Sequence, residues 1–139
     1  WYVKHGGVKI PGGTSFAQLQ TGLQVAGAAS GVPLAARWVD TTGPDAWLFA
    51  LRAELDRGHP AIIFLADGGM LWQGDWHYGH YVVASGSTAD GRIIYHDPWD
   101  GRAHSLSARD FGAVWGATWR DNPSWRYLRI TPTDAATAR

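Results

Sequence analysis

Apolar residues recur at helical spacing in two stretches of the first half of the chain. The first predicted helix covers residues 15–26, with Thr14 or Ser15 suited to cap it, and the second covers residues 44–57. Gly58 ends the second helix, because a glycine just past the last turn readily adopts the conformation that stops a helix. Helices therefore dominate the first part of the predicted fold.

The second half of the chain changes to the patterns of β-strands. Five short segments have the length and apolar content of strands. They cover residues 61–65, 80–86, 92–97, 102–106 and 125–131. A loop is predicted over residues 68–79 and a short helix over residues 107–115, with Ser107 as its cap. Helices followed by hairpin-connected strands predict an α+β fold, with N-terminal helices packed on a largely antiparallel sheet.

Composition and charge exclude several classes of partner. Twelve basic and twelve acidic residues cancel, so the chain lacks the excess positive charge that nucleic acids or anionic membranes attract. No apolar run approaches the roughly twenty residues of a transmembrane helix. No phosphate-binding glycine motif is present. We therefore expect no nucleic-acid partner, no membrane segment in this chain and no cofactor.

The two ends of the sequence predict a module of a longer protein. The chain begins with Trp-Tyr-Val rather than methionine, and it ends in TPTDAATAR, a tail typical of linkers. We expect one domain over residues 1–131, incomplete at its N-terminus. A linker-like tail over residues 132–139 would join it to further domains.

Two residues of the predicted hairpin are suited to catalysis, His80 and Asp97. If residues 87–90 form a four-residue loop, His80 lies directly opposite Asp97, with β-carbons roughly 4.5 to 5.5 Å apart. A tighter turn would instead place Asp97 opposite Ala84. The shift between the two registers is even, so both put His80 and Asp97 on one face and His96 on the other. The argument holds for a hairpin without a β-bulge.

An imidazole held by a carboxylate is the pair that activates a nucleophile in covalent catalysis. The alternative is a structural pair that only fixes two strands. The chain contains no cysteine, which excludes a cysteine nucleophile within these residues. Ser85 is expected on the face opposite His80, which makes it a poor substitute.

Three segments resemble a known family: GHYVVASG, GRIIYHDPWDG and LSARDFGAVW. They are similar to papain-like cysteine peptidases related to the bacteriocin leader-processing family, which cleaves double-glycine leaders. In those proteins a Gly-His-Tyr-Val-Val strand carries the catalytic histidine, and a following strand ends in Asp-Pro. The resemblance extends over about residues 12–125. It implies a papain-like fold, His80 as the general base and Asp97 as the residue that orients it.

The sequence departs from that family at the nucleophile. The family's cysteine begins a helix near the N-terminus and follows a glutamine, and no Gln-x-Cys segment occurs here. Our first hypothesis is that this segment lies upstream of Trp1 and that the chain belongs to an active cysteine peptidase. The second is a non-catalytic papain-like module, a pseudo-peptidase that binds peptides.

The resemblance also suggests settings for a peptidase of this kind. One is the peptidase module of a phage endolysin or cell-wall hydrolase that cuts the peptide cross-links of peptidoglycan. It would act at an extracytoplasmic or cell-wall location. Transporter-fused leader peptidases are the other setting.

Three aromatic residues precede the histidine and are candidates for the wall of a substrate groove: Trp72, Trp76 and Tyr78. Burial under the loop is the alternative. Asp75, His77 and His80 are also residue types that could bind a metal. We expect no metal there, because a three-residue spacing need not bring two histidines together outside a helix.

Overall fold

The computed structural model describes residues 2–5, 8–11, 13–72 and 77–133 of the chain. In this part, six antiparallel strands form one sheet, in the order β3, β8, β4, β5, β6, β7. The strands of this sheet are β3 (Leu34–Asp40), β4 (Ala61–Leu65), β5 (His80–Ser87), β6 (Ile93–Asp97), β7 (Arg102–Leu106) and β8 (Arg126–Pro132). A separate two-stranded hairpin is formed by β1 (Tyr2–His5) and β2 (Val8–Pro11). The helices are α1 (Phe16–Ala29), α2 (Pro44–Asp56), α3 (Gly69–Trp72) and α4 (Ala108–Gly116).

Helices cover both faces of the six-stranded sheet. Successive side chains of a strand point to opposite faces, so β4 contributes Ile63 to one cluster and Ile62 to the other. The larger cluster joins β4, β5 and β6 to α2 and α4 through residues such as Trp47 and Trp115. The smaller cluster joins α1 to the opposite face. The predicted α+β architecture, with helices on a largely antiparallel sheet, is confirmed.

Local sequence signals account for most of the helix and strand ends. Ser15 caps α1 with a reciprocal pair of bonds: its Oγ accepts from the Gln18 N–H at 3.2 Å, and its own N–H donates to Gln18 Oε1 at 2.9 Å. Gly58 follows α2 with φ of 74°, as expected of a helix-terminating glycine. Ser107 caps α4 by accepting from the Asp110 N–H at 3.0 Å. The strand predicted over residues 61–65 has the observed bounds of β4.

Four elements were not expected: the strands β1, β2 and β3 and the short helix α3. The strand β3 lies between the two predicted helices and pairs with β8 along its whole length, from Leu34 opposite Pro132 to Asp40 opposite Arg126. The short helix α3 occupies part of the predicted loop of residues 68–79. Residues 134–139, most of the expected tail, lie outside the described residues, as does Trp1.

The β5–β6 hairpin differs from both predicted registers. Ser87 pairs with Ile93 across a five-residue loop, residues 88–92, and a β-bulge lies between Ala84 and Gly86. Below the bulge, Ala84 pairs with Tyr95. The loop has one residue more than the expected four, which alone would exchange the two faces of β6 relative to β5. The extra residue of the bulge exchanges them again and restores the expected faces. The register was wrong, yet His80 and Asp97 do share a face, because the two irregularities cancel.

Among residues 13–72 and 77–133, none of the helices combines the length and the apolar composition needed to cross a bilayer.

Candidate active site

The side chains of His80 and Asp97 meet at the ends of β5 and β6. His80 Nε2 lies 2.8 Å from Asp97 Oδ1. The pairing of Ala84 with Tyr95, continued by two residues, places Asp97 opposite Val82, so His80 and Asp97 form a diagonal rather than a directly opposed pair. The Asp97 side chain is completely buried, and the His80 side chain is 14% exposed. One partner is therefore in the protein interior while the other reaches the surface.

The turn after β6 fixes the Asp97 carboxylate. Its Oδ1 also accepts a hydrogen bond from the Trp99 backbone N–H at 2.8 Å, and its backbone carbonyl accepts from the Gly101 N–H at 2.8 Å. Gly101 has φ of 68°, which suits a glycine in a tight turn. Asp97 Oδ2 is buried and has no hydrogen-bond partner among the described residues. The carboxylate thus uses a single oxygen to hold both the histidine and the turn.

Glycines on both sides of His80 allow the neighbouring backbone to approach it. Its backbone pairs with Leu65 of β4. A β-carbon added to Gly68 would lie 2.4 Å from the His80 Cβ, and one added to Gly79 would lie 2.8 Å from the Phe64 ring. Both distances are too short for any side chain, so His80 is confined between the end of β4 and the Asp97 carboxylate.

This geometry selects the tautomer of His80. A carboxylate can only accept a hydrogen bond, so Nε2 carries a hydrogen and donates it to Asp97. In the neutral ring Nδ1 then has the lone pair and is the nitrogen able to take a proton. A carboxylate in this position also stabilises the imidazolium that forms. The pair can act as a base toward a thiol or hydroxyl group placed next to Nδ1.

His80 lines an open cleft of about 890 Å³. One wall is the start of α1 with the residues just before it, including Ser15 and Gln18. Another wall is made by residues 77–79 and by the turn of residues 119–122. The cleft is large enough for several residues of a peptide, and it gives them access to His80.

An aromatic cluster fixes the α1 wall against the sheet. Phe16 packs edge-on against Phe64 of β4, with ring centroids 4.7 Å apart, and against Trp38 of β3 at 4.8 Å. Trp38 Nε1–H donates to the Phe16 carbonyl at 2.9 Å, and the Tyr81 hydroxyl donates to the Thr14 carbonyl at 2.7 Å. Burial raises the pKa of Tyr81, which keeps this hydroxyl protonated as a donor.

A second histidine–aspartate pair lies in the same cleft. His77 Nδ1 lies 3.1 Å from Asp67 Oδ2, and the His77 ring stacks on Trp119 with centroids 4.1 Å apart and an interplanar angle of 14°. Neither Asp67 nor Trp119 was expected from the sequence. The sequence could have indicated Asp67 only as an acidic residue two positions after a continuous apolar strand. Antiparallel pairing of β4 with β5 brings that position next to the residues just before His80.

The three aromatic candidates are in different surroundings. Tyr78 lines the cleft and is 48% exposed. Trp72 contacts the His104 ring edge-on at 5.8 Å, on the β7 side of the sheet. Trp76 lies outside the described residues, and so does Asp75 of the metal alternative. Within the described residues, no three His, Cys, Asp or Glu side chains are arranged to hold a metal ion.

His96 provides an internal comparison for His80. It is exposed, and its Nε2 lies 3.0 Å from Ser85 Oγ, so these two residues interact with each other away from Asp97. Tyr95, which precedes His96, is on the same face as Asp97. Its pKa is raised by burial and by the negative charges of Asp97 and Asp100. The placement of His96 and Ser85 away from His80 agrees with the expected alternation of faces.

The sequence matches the model of the Peptidase_C39 like family over residues 13–121. The matched range includes His80, Asp97 and every residue that lines the cleft except Asn122. No curated protein matches the chain.

Proposed function

Because the chain belongs to the Peptidase_C39 like family, we propose that it forms the part of a cysteine peptidase that carries the general base and its orienting carboxylate. His80 is the base and Asp97 is the orienter. The observation that carries the proposal is the 2.8 Å contact between His80 Nε2 and Asp97 Oδ1, in which a buried carboxylate holds a ring that lines an open cleft. The 139 residues contain no cysteine, so the proposed reaction uses a thiol that they do not supply.

The proposed reaction has two steps. His80 Nδ1 takes the thiol proton, and the thiolate attacks the carbonyl carbon of the peptide bond to give a tetrahedral intermediate. The imidazolium then gives that proton to the leaving amine as the C–N bond breaks, which leaves an acyl-thioester. In the second step His80 takes a proton from water, the resulting hydroxide attacks the thioester carbonyl, and the thiol leaves with the proton returned. Asp97 stabilises the imidazolium in both steps.

Peptide cross-links of the bacterial cell wall are the proposed substrate class, with a phage endolysin or cell-wall hydrolase as the setting. The similarity of residues 79–101 to papain-like peptidases supports a peptide substrate. The open cleft supports it as well, since a branched peptide needs a site that is accessible from more than one side. Tyr78, Trp72 and Trp76 remain proposed substrate-contacting residues.

The test compares two histidine variants of the full-length protein on purified peptidoglycan and on quenched fluorescent peptides. His80→Ala should lower kcat/KM by at least about 100-fold, the usual contribution of a general base. His96→Ala should lower it by less than about threefold, because the His96 ring interacts with Ser85 on the other face. Both variants should unfold at similar urea concentrations. Equal turnover by His80→Ala and the unaltered protein would remove His80 from the mechanism.

The absence of cysteine from these residues favours a second candidate, a non-catalytic peptide-binding module. A thiol-reactive peptidyl vinyl sulfone separates the two. Covalent labelling of the full-length protein that His80→Ala abolishes supports the peptidase. Peptide binding in the absence of any labelling or hydrolysis supports the binding module.

A further inference from the structure

Arg120 adopts a backbone conformation that is unfavourable for its residue type. Its φ is 53°, at the second position of a turn in which the Asn122 N–H donates to the Trp119 carbonyl at 3.2 Å. Glycine adopts positive φ at this position without steric cost, whereas an arginine is strained there. Glycine would relieve this strain, so the turn itself does not require an arginine.

That side chain lies in the cleft of His80. The guanidinium carbon is 5.7 Å from the centroid of the Trp119 ring, within the range of a cation–π contact. Arg120 forms no salt bridge with any residue of the described part of the chain. It is thus a cation beside an aromatic ring in the lining of the cleft.

The surroundings of Trp119 make this wall rigid. His77 stacks on the ring, and the His77 ring is in turn held by the Asp67 carboxylate, whose side chain is only 8% exposed. Asn122 Nδ2 donates to the Ala66 carbonyl at 3.4 Å, which ties the turn to the end of β4. Gly68, two residues further on, contacts His80. The wall and the catalytic histidine are therefore fixed to the same short segment.

The other charges in the cleft define what Arg120 can bind. Each histidine already faces its own carboxylate, His77 with Asp67 and His80 with Asp97. Asp121, next to Arg120, also lines the cleft and is exposed. Arg120 and Asp121 are both exposed, but the guanidinium lies over the Trp119 ring and its planar fork matches a carboxylate. Arg120 is thus the better placed of the two to bind a substrate charge.

We propose that Trp119 and Arg120, positioned by His77, form a subsite that binds a carboxylate group of the substrate peptide. The inference rests on the proposed function, since it assigns a substrate class to the cleft of the proposed peptidase. Arg120 binds the carboxylate through two parallel hydrogen bonds, and the Trp119 ring supports the guanidinium. His77 is a positioning residue, because it acts through the Trp119 ring.

The test uses the full-length protein and alanine-based hexapeptides with one Glu, Gln or Lys placed at each position in turn. At one position, the unaltered protein should show at least tenfold higher kcat/KM for Glu than for Gln. Arg120→Met should reduce that ratio to about one, and Asp121→Asn should raise it. A Glu to Gln ratio that Arg120→Met leaves unchanged would overturn the subsite, as would a preference for Lys.

Arg120→Gly separates recognition from a structural role. Because glycine relieves the strain, this variant should unfold at a higher urea concentration than the unaltered protein while losing the Glu preference. A purely structural arginine would give the reverse, a lower midpoint with the preference retained.

A peptide-binding measurement distinguishes failure of the proposed subsite from failure of the proposed peptidase function. Fluorescence anisotropy of the same labelled peptides is measured with the His80→Ala full-length protein, which needs no turnover. If hydrolysis is never observed, a tenfold tighter binding of Glu than Gln peptides that Arg120→Met removes still supports the subsite. Equal binding of Glu and Gln peptides at every position contradicts it, whether or not the protein is a peptidase.

Discussion

Gly68 lies against His80 so closely that a β-carbon on residue 68 would be 2.4 Å from the His80 Cβ. The Gly68 N–H also donates to the Tyr78 carbonyl at 2.8 Å, which joins the end of β4 to the residues before β5. The backbone at Gly68 therefore sets the distance between the two strands where the histidine emerges.

Gly68→Ala should displace His80 and break its contact with Asp97. Because the nearest atoms belong to the Cβ and ring of His80, the added methyl group can be accommodated only if that residue moves. We expect the proposed peptidase to lose at least about tenfold in kcat/KM, since small misplacements of a catalytic group are costly. Peptide hydrolysis by the full-length variant measures the loss.

Gly22→Ala is the matched control for that substitution. Gly22 is in α1, and a β-carbon there would have no atom within 4 Å. This change should leave activity intact and stabilise the protein by about 0.5–1 kcal/mol, because alanine is the better helix former. Unchanged activity in Gly68→Ala would mean that His80 is not confined as described.

Asp97→Asn should preserve the fold. The amide oxygen can accept the same two hydrogen bonds as Oδ1, from His80 Nε2 and the Trp99 N–H, and the amide nitrogen would replace an oxygen that has no partner among the described residues. A neutral amide costs less to bury than a carboxylate, so the free energy of unfolding should change by less than about 1 kcal/mol. Urea denaturation followed by tryptophan fluorescence measures the difference.

Asp97→Ala should differ from Asp97→Asn in both stability and activity. It removes the acceptor of two partly buried hydrogen bonds, from His80 Nε2 and from the Trp99 N–H, at a cost of about 1–3 kcal/mol. In the proposed peptidase, Asp97→Asn should also retain more activity, because the Trp99 N–H selects the amide orientation that keeps the oxygen toward His80. Equal activity of the two variants would argue that Asp97 does not orient the base.

Stability in acid should depend on the ion pair that joins β3 to β8. Asp40 accepts two hydrogen bonds from Arg126, at 2.7 and 3.0 Å, and this hydrogen bonding lowers the pKa of Asp40 from its ordinary value. A carboxyl group whose pKa is lower in the folded state stabilises the fold above its unfolded pKa. That contribution is lost as the pH falls through the folded value.

Asp40→Asn should therefore destabilise the protein at pH 7 and have almost no effect near pH 2. The expected loss at pH 7 is about 0.2–1 kcal/mol, because the Asp40 side chain is 59% exposed and its ion pair is screened by solvent. Urea midpoints of the variant and the unaltered protein, measured at both pH values, give the comparison. A difference that persists undiminished at pH 2 would contradict the assignment.

Features with a local cause could be predicted from the sequence. The ends of α1, α2 and α4 depend on Ser15, Gly58 and Ser107, which act within a few residues of their own positions. The His80–Asp97 contact could also be predicted, because the two residues belong to one hairpin. Its register could not be, since no residue type marks the bulge at Ser85 or the length of the loop.

Features that depend on distant segments could not be predicted. The strand β3 has Arg37 at its centre and only one fully buried residue, Ala36, so its sequence lacks the pattern of an interior strand. It is stabilised by pairing with β8, which begins 86 residues after the end of β3. The wall formed by His77, Asp67 and Trp119 likewise joins three separate segments. Their proximity follows from the tertiary fold rather than from local spacing.

The hairpin of β5 and β6 also limits how this chain can change its length over evolution. A single insertion or deletion in residues 88–92 would exchange the two faces of β6 relative to β5 and bring a neighbour of Asp97 to the His80 side. The same exchange would follow if the bulge at Ser85 disappeared alone. Length changes here preserve the pair only in even numbers, or when a change in the loop is matched by one in the bulge.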